Sequence, residues 1–261
     1  MPKIPVSSEF LRLIFDMQND CEVSTKERLP DLGKSAPKCF EELGTSLSYL
    51  DRMSSCFWEC RGGDHVIERI LGRAASSALA SLRLLLFGHY DESLSLIRSL
   101  GETSNLLLVF NRDNTIYQEW LNASEDVRKR SFSAVKVRLK LEEMGIKKDD
   151  ESAFVLMGEQ RYSVMSGRSV HLNPATAPQS YNFSGLPMWG GHYQEIGFLT
   201  CLNELCRAVG LIVVFAPKIL GYPVDRKKEI QDVASTLLAA VGRIDVLTDW
   251  EALRRLLEKP D

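Results

Sequence analysis

Apolar residues recur three and four positions apart along most of this chain, the spacing that lays a stripe along one face of an α-helix. Over residues 5–20 the stripe is Phe10, Leu13, Ile14 and Met17, with Ser7 or Ser8 as N-cap. The segment to Pro37 carries Pro30 and Gly33 and reads as a connector. A second helix is predicted over 38–60, burying Phe40, Leu43, Leu47, Leu50, Met53, Phe57 and Trp58 and stopped by Gly62–Gly63. A third, capped by Asp64 and reaching Phe87, has Ile67, Ile70, Leu71, Ala74, Ala78, Leu82 and Leu85 on one side. Its small residues (Ala74 to Ala78) suit close helix approach, and Gly88 ends it.

The fourth helix, 92–110 after Asp91, is apolar on most sides through Leu94, Ile97, Leu100, Leu107 and Phe110, so it is expected to be central. Thr115 and Gln118 form a capping box for a short helix carrying Trp120. Ser124 opens a long charged helix that Gly145 ends. Its basic run (Arg128, Lys129, Arg130, Lys136, Arg138, Lys140) reads as a solvated face. Another helix runs from Asp149–Asp150 into RYSVMSGRSVHLN. Residues 173–191, rich in proline and glycine but also in Tyr181, Phe183, Met188 and Trp189, read as a long ordered loop. An apolar helix over 192–216 buries Ile196, Leu199, Leu202, Leu205, Val209, Ile212 and Val213. Helices at 226–241 (capped by Asp225) and 249–258 complete the chain.

Strand-like alternation, a βαβ rhythm and internal repeats are all missing from the 261 residues. The fold expected is all-α: a single helical bundle of about seven to nine helices. It divides into an N-terminal helix and connector (1–37) and a helical bundle domain (38–261).

Composition changes this picture little. Apolar residues are 44% and charged residues 26%, as in ordinary globular chains. A net charge of −3 counts against a broad nucleic-acid surface. The first fifteen residues hold no long apolar core or cleavage site, so no secretory signal is read. Val209 to Leu220, broken by Pro217 and Lys218, reads as too short for a membrane span. The six cysteines are expected to be reduced thiols in a cytoplasm.

Candidate chemistry is sparse. Cys56 and Cys60, and Cys201 and Cys206, are placed on helices with each pair toward one side. They read as buried helical cysteines, so neither a metal nor a cofactor is expected. Phosphate loops and a nucleophile elbow are lacking. Arg98 and Glu102, four apart, suit an ion pair that clamps helices or holds a ligand. If helix continues through RYSVMSGRSVHLN, Arg161, Arg168 and His171 fall within an arc of roughly 80°, with Ser166 off that face. A histidine that titrates near neutrality beside two guanidinium groups could handle a phosphodiester. His171, Arg168 and Arg161 are therefore the candidate catalytic residues. Arg98, Glu102, Ser166 and Asn173 form the candidate structural or ligand-holding polar cluster.

GHYDESLSLIRSLGE on a central helix, the Trp120 segment and then RYSVMSGRSVHLNP together resemble uncharacterised bacterial helical proteins and, through them, HEPN-like bundles. The resemblance spans about residues 64–215 and implies a role in bacterial defence or toxin–antitoxin systems. Active HEPN members resemble one another in a closely spaced Arg…His pair that cleaves RNA without metal in a dimer. Arg161 and Arg168 miss that spacing to His171. Two readings stay open. One is a non-catalytic helical interaction protein with itself or another protein as partner and no membrane association. The other is a metal-independent ribonuclease acting on RNA.

Overall fold

A computed structural model describes residues 8–60, 63–146, 165 and 191–241. Among these residues it is all-α, a bundle of nine α-helices with no strand. The helices are α1 (Ser8–Arg28), α2 (Ser35–Ser54), α3 (Val66–Leu86), α4 (Tyr90–Arg112), α5 (Asn114–Asn122), α6 (Glu125–Ser131), α7 (Ala134–Glu143), α8 (Glu195–Ile219) and α9 (Val224–Val241). The expected helices after Asp149 and over 249–258 lie outside the described residues, as does the 173–191 loop apart from Gly191.

The core is built on α8, which packs against α4, α9, α2 and α3. Every residue from Gly197 to Pro217 except Arg207 is buried, as a helix apolar on all sides requires. At 25 residues it is long and apolar enough to cross a membrane. Its most apolar window lies inside the bundle, the position of a core helix. The apolar stretch Val209–Leu220 belongs to the second half of this helix, which begins at Glu195 and keeps Pro217 within its last turns. The amide of Asn111 donates to the Phe215 carbonyl (3.0 Å) and that of Gln231 to the Val214 carbonyl (3.5 Å), bonds that tie α4 and α9 to the last turns of α8. Ile196, expected in the core, is half exposed on the first turn.

Helix α4 is central as expected, with Leu94, Ile97, Leu100, Leu107 and Phe110 all buried. It meets α3 along the small-residue stripe Ala74, Ala78 and Ser81. There Ser81 and Ser93 face each other, Oγ to Oγ at 2.8 Å, and the Ser93 hydroxyl also reaches the Ser81 carbonyl at 3.0 Å. Gly88 (φ 77°) ends α3 in the left-handed conformation that spares a glycine the clash a Cβ would make. His89 N–H then donates back to the Leu84 carbonyl at 2.8 Å.

Several helix ends differ from the periodicity. The first helix runs to Arg28 because Cys21 and Thr25, four apart, continue its buried side, and Pro30 belongs to the 3₁₀ turn Leu29–Asp31 that follows. Pro37, read as part of a connector, lies in the first turn of α2, where its missing N–H costs no helical bond. Conversely, α2 stops at Ser54, so Phe57 leaves the core and is exposed. Trp58 instead packs edge-on to Tyr222 with Arg226 over its ring at 4.8 Å.

The caps also shift. His65 rather than Asp64 precedes α3, and α4 begins at Tyr90 with His89 before it. Asp113, not Thr115, caps α5, its carboxylate accepting the Thr115 N–H at 2.8 Å. Ser124 does cap α6 through the Val127 N–H, but the long charged helix breaks at Phe132, and Ser133 precedes α7. The break lets Val137 and Leu141 bury while Lys140 lies over the Phe132 ring at 5.4 Å.

Candidate functional site

The least regular backbone among the described residues lies between α2 and α3. After Ser54 the chain closes with Ser55 N–H on the Asp51 carbonyl (3.0 Å) and Phe57 N–H on the Arg52 carbonyl (3.1 Å). Cys56 takes φ 55°, Glu59 φ 139° and His65 φ 49°, and no other described non-glycine residue has positive φ. Each such conformation costs on the order of 1–3 kcal/mol and persists only where its surroundings impose it.

This backbone gathers four side chains. The His65 imidazole lies between two thiols, Nδ1 3.5 Å from Cys56 Sγ and Nε2 3.5 Å from Cys60 Sγ. Glu68, one turn into α3, brings Oε1 to 3.4 Å from Nδ1 and 3.9 Å from Cys56 Sγ. The His65–Glu68 contact joins the residue that precedes α3 to the third residue of its first turn. Cys56 and His65 are half-buried and Cys60 is exposed. Burial pushes the Cys56 thiol above the usual cysteine range, and the negative charge of Glu68 adds to the rise. Two sulfurs, an imidazole and a carboxylate at one surface corner can share hydrogen bonds, ligate a cation or pair as a disulfide.

The reading of Cys56 and Cys60 as buried helical cysteines is therefore corrected. Helix α2 ends before both, and they sit in a turn where cysteines four apart can converge on one point. Sequence reasoning missed His65 and Glu68. The order Cys-x3-Cys-x4-His-x2-Glu was visible, but extending α2 to residue 60 hid its meaning. Cys201 and Cys206 are buried on α8 but do not face one neighbour: Cys201 Sγ points to the Tyr90 carbonyl and Cys206 Sγ to that of Cys39.

Arg98 and Glu102 do form an ion pair, Nη2 to Oε1 at 3.2 Å, within one face of α4 and partly shielded from solvent. Arg161, Ser166, Arg168, His171 and Asn173 lie outside the described residues. Of that stretch only Met165 is described, and it is buried in the core cluster. The basic run of α6 and α7 is largely absorbed locally. Lys129 pairs with Glu125, and Arg128 lies over Trp120 at 5.8 Å. Periodicity also missed the polar residues buried within the core, Asn105 on α4 and Asn203 and Glu204 on α8.

No family model, curated protein or solved structure matches this chain. The resemblance to HEPN-like bundles rests on the motifs quoted for it.

Proposed function

We propose that this protein is a non-catalytic helical interaction module, cytoplasmic, which associates with a second copy of itself through the outward face of α1. The observation that supports this reading is the exposure of large apolar side chains on that helix. Leu11 is 56% and Phe15 59% exposed, four residues apart on one stripe, with Val23 and Leu13 also exposed. Exposed aromatic and aliphatic groups grouped in this way mark association surfaces more often than single exposed residues do.

Charge favours a second copy as the occupant. Arg12 and Asp16 are both exposed on α1. If two α1 helices pair antiparallel about Ile14, each Arg12 faces the other copy's Asp16, and Leu11 and Phe15 lie at the same contact. A twofold interface of this kind uses one patch twice. A place in bacterial defence or toxin–antitoxin biology comes from the HEPN-like resemblance alone.

Sedimentation velocity over a range of concentrations tests the reading. The wild-type chain should show a monomer–dimer equilibrium, and Leu11→Glu with Phe15→Glu should be monomeric with unchanged helical circular dichroism. Arg12→Asp should weaken the dimer and Arg12→Asp with Asp16→Arg should restore it. A monomer at every concentration overturns the proposal. So does RNA cleavage by the wild type that His171→Ala abolishes, the outcome expected of the ribonuclease reading.

A further inference from the structure

We propose that Cys56, Cys60 and His65 bind a zinc-class divalent cation, with the Glu68 carboxylate as the fourth donor. The first support is donor chemistry. Two thiolates and an imidazole are the borderline-soft set that selects zinc over magnesium or calcium. A pair of cysteines with two to four residues between them, placed in a turn, is the usual arrangement of such sites, and Cys56 and Cys60 have three between.

Geometry is the second. With zinc–sulfur bonds of about 2.3 Å and zinc–nitrogen bonds of about 2.0–2.1 Å, the sulfur–nitrogen edge of a tetrahedron is about 3.5 Å. Cys56 Sγ and His65 Nδ1 stand 3.5 Å apart, and Glu68 Oε1 lies 3.4 Å from that nitrogen and 3.9 Å from that sulfur. These three atoms already outline one face of a coordination tetrahedron. The three donor atoms of Cys56, Cys60 and His65 lie within 4.8 Å of one another. An ion takes one nitrogen of an imidazole, and Nδ1, facing two other donors, is the one assigned. Cys60 Sγ, near Nε2 at 3.5 Å, closes the fourth position by rotation about its Cα–Cβ bond, which its exposure permits.

Proton balance is the third. When the dication binds, each thiol releases its proton to solvent and the sulfur lone pair forms the metal bond. The same ion ties the end of α2 to the first turn of α3, across a segment whose three left-handed non-glycine residues need an external constraint.

The test uses the full chain, reduced and stripped of metal, titrated with cobalt(II) and then zinc. A thiolate-to-cobalt charge-transfer band should grow to a single equivalent and vanish as zinc displaces cobalt. Cys60→Ser and His65→Asn should each remove the band, and Glu68→Gln should weaken binding by roughly 10–100-fold. Cys60 is exposed, so matched circular dichroism of Cys60→Ser separates lost binding from lost folding. Mapping alkylated peptides should show Cys56 and Cys60 protected when zinc is added and modified without it. No charge-transfer band overturns the proposal, as does a band that survives in the Cys60→Ser, His65→Asn double variant. A Cys56–Cys60 disulfide that persists under reductant also overturns it and assigns the corner to redox chemistry.

Discussion

The Tyr90 hydroxyl accepts a hydrogen bond from the Gln194 backbone N–H at 2.9 Å, joining residues 104 apart in sequence. Tyr90 opens α4 and Gln194 immediately precedes α8, so one side chain registers the starts of the two helices most central to the core. The same hydroxyl donates to the His192 carbonyl at 3.4 Å. Burial holds this phenol far above the usual tyrosine range, so it remains a neutral donor and acceptor. Tyr90→Phe removes both of these bonds. We expect a loss of about 1–3 kcal/mol, read as a lower urea midpoint at unchanged slope. An unchanged midpoint would show that the bond contributes nothing net.

Gly197 lies against the same ring. A Cβ there would stand 2.7 Å from Tyr90 Cδ2, and the ring is held by its hydroxyl and cannot swing away. Alanine gains about 1 kcal/mol of helix propensity over glycine, whereas overpacking a filled core costs about 1–3 kcal/mol. The clash should win, and Gly197→Ala should lower the thermal midpoint. In the Tyr90→Ala background the same substitution should stabilise, because the obstacle is gone.

Ser81 and Ser93 share a buried hydroxyl–hydroxyl bond, so their substitutions should not add. Ser81→Ala or Ser93→Ala alone breaks that bond, while the remaining hydroxyl keeps its contact with the other residue's backbone carbonyl, and should cost about 0.5–1.5 kcal/mol. The double variant loses the shared bond only once and should cost less than the sum. A double-mutant cycle of denaturant melts measures the coupling. Strict additivity would mean that the two hydroxyls act independently.

Tyr193 sets an alkaline limit. Burial pushes its phenol up to about 12, with the Glu195 carboxylate adding and Arg28 opposing. Unfolded tyrosine releases its proton near 10, so between 10 and about 12 the folded chain holds a proton that the unfolded chain has lost. That contribution is complete below pH 10 and disappears as pH rises through 12. Tyr193→Phe should therefore lose less stability over this interval than the wild type does. Parallel pH profiles for the two proteins would contradict the assignment.

Local sequence was enough for the all-α class and for the cores of the long helices. Leu71, Ala74, Ala78 and Leu85 on α3, and Leu94, Ile97 and Leu100 on α4, are buried as their spacing requires. Gly88 and Gly145 end their helices with positive φ, as glycine's freedom at that position allows. The Arg98–Glu102 pair was legible for the same reason, because a contact four residues apart needs only the helix itself. Tertiary structure decided the rest. Periodicity extends a helix until a proline or glycine interrupts it, but α2 stops at Ser54, and beyond it Phe57 is exposed while Trp58 packs against Tyr222. That early stop places Cys56 and Cys60 beside His65 and Glu68, a set contributed by the turn after one helix and the start of the next. The central role of α8 and its link to Tyr90 likewise depend on residues about a hundred positions apart. Which distant groups meet is settled by how the helices pack, and the spacing along any one of them does not contain that information.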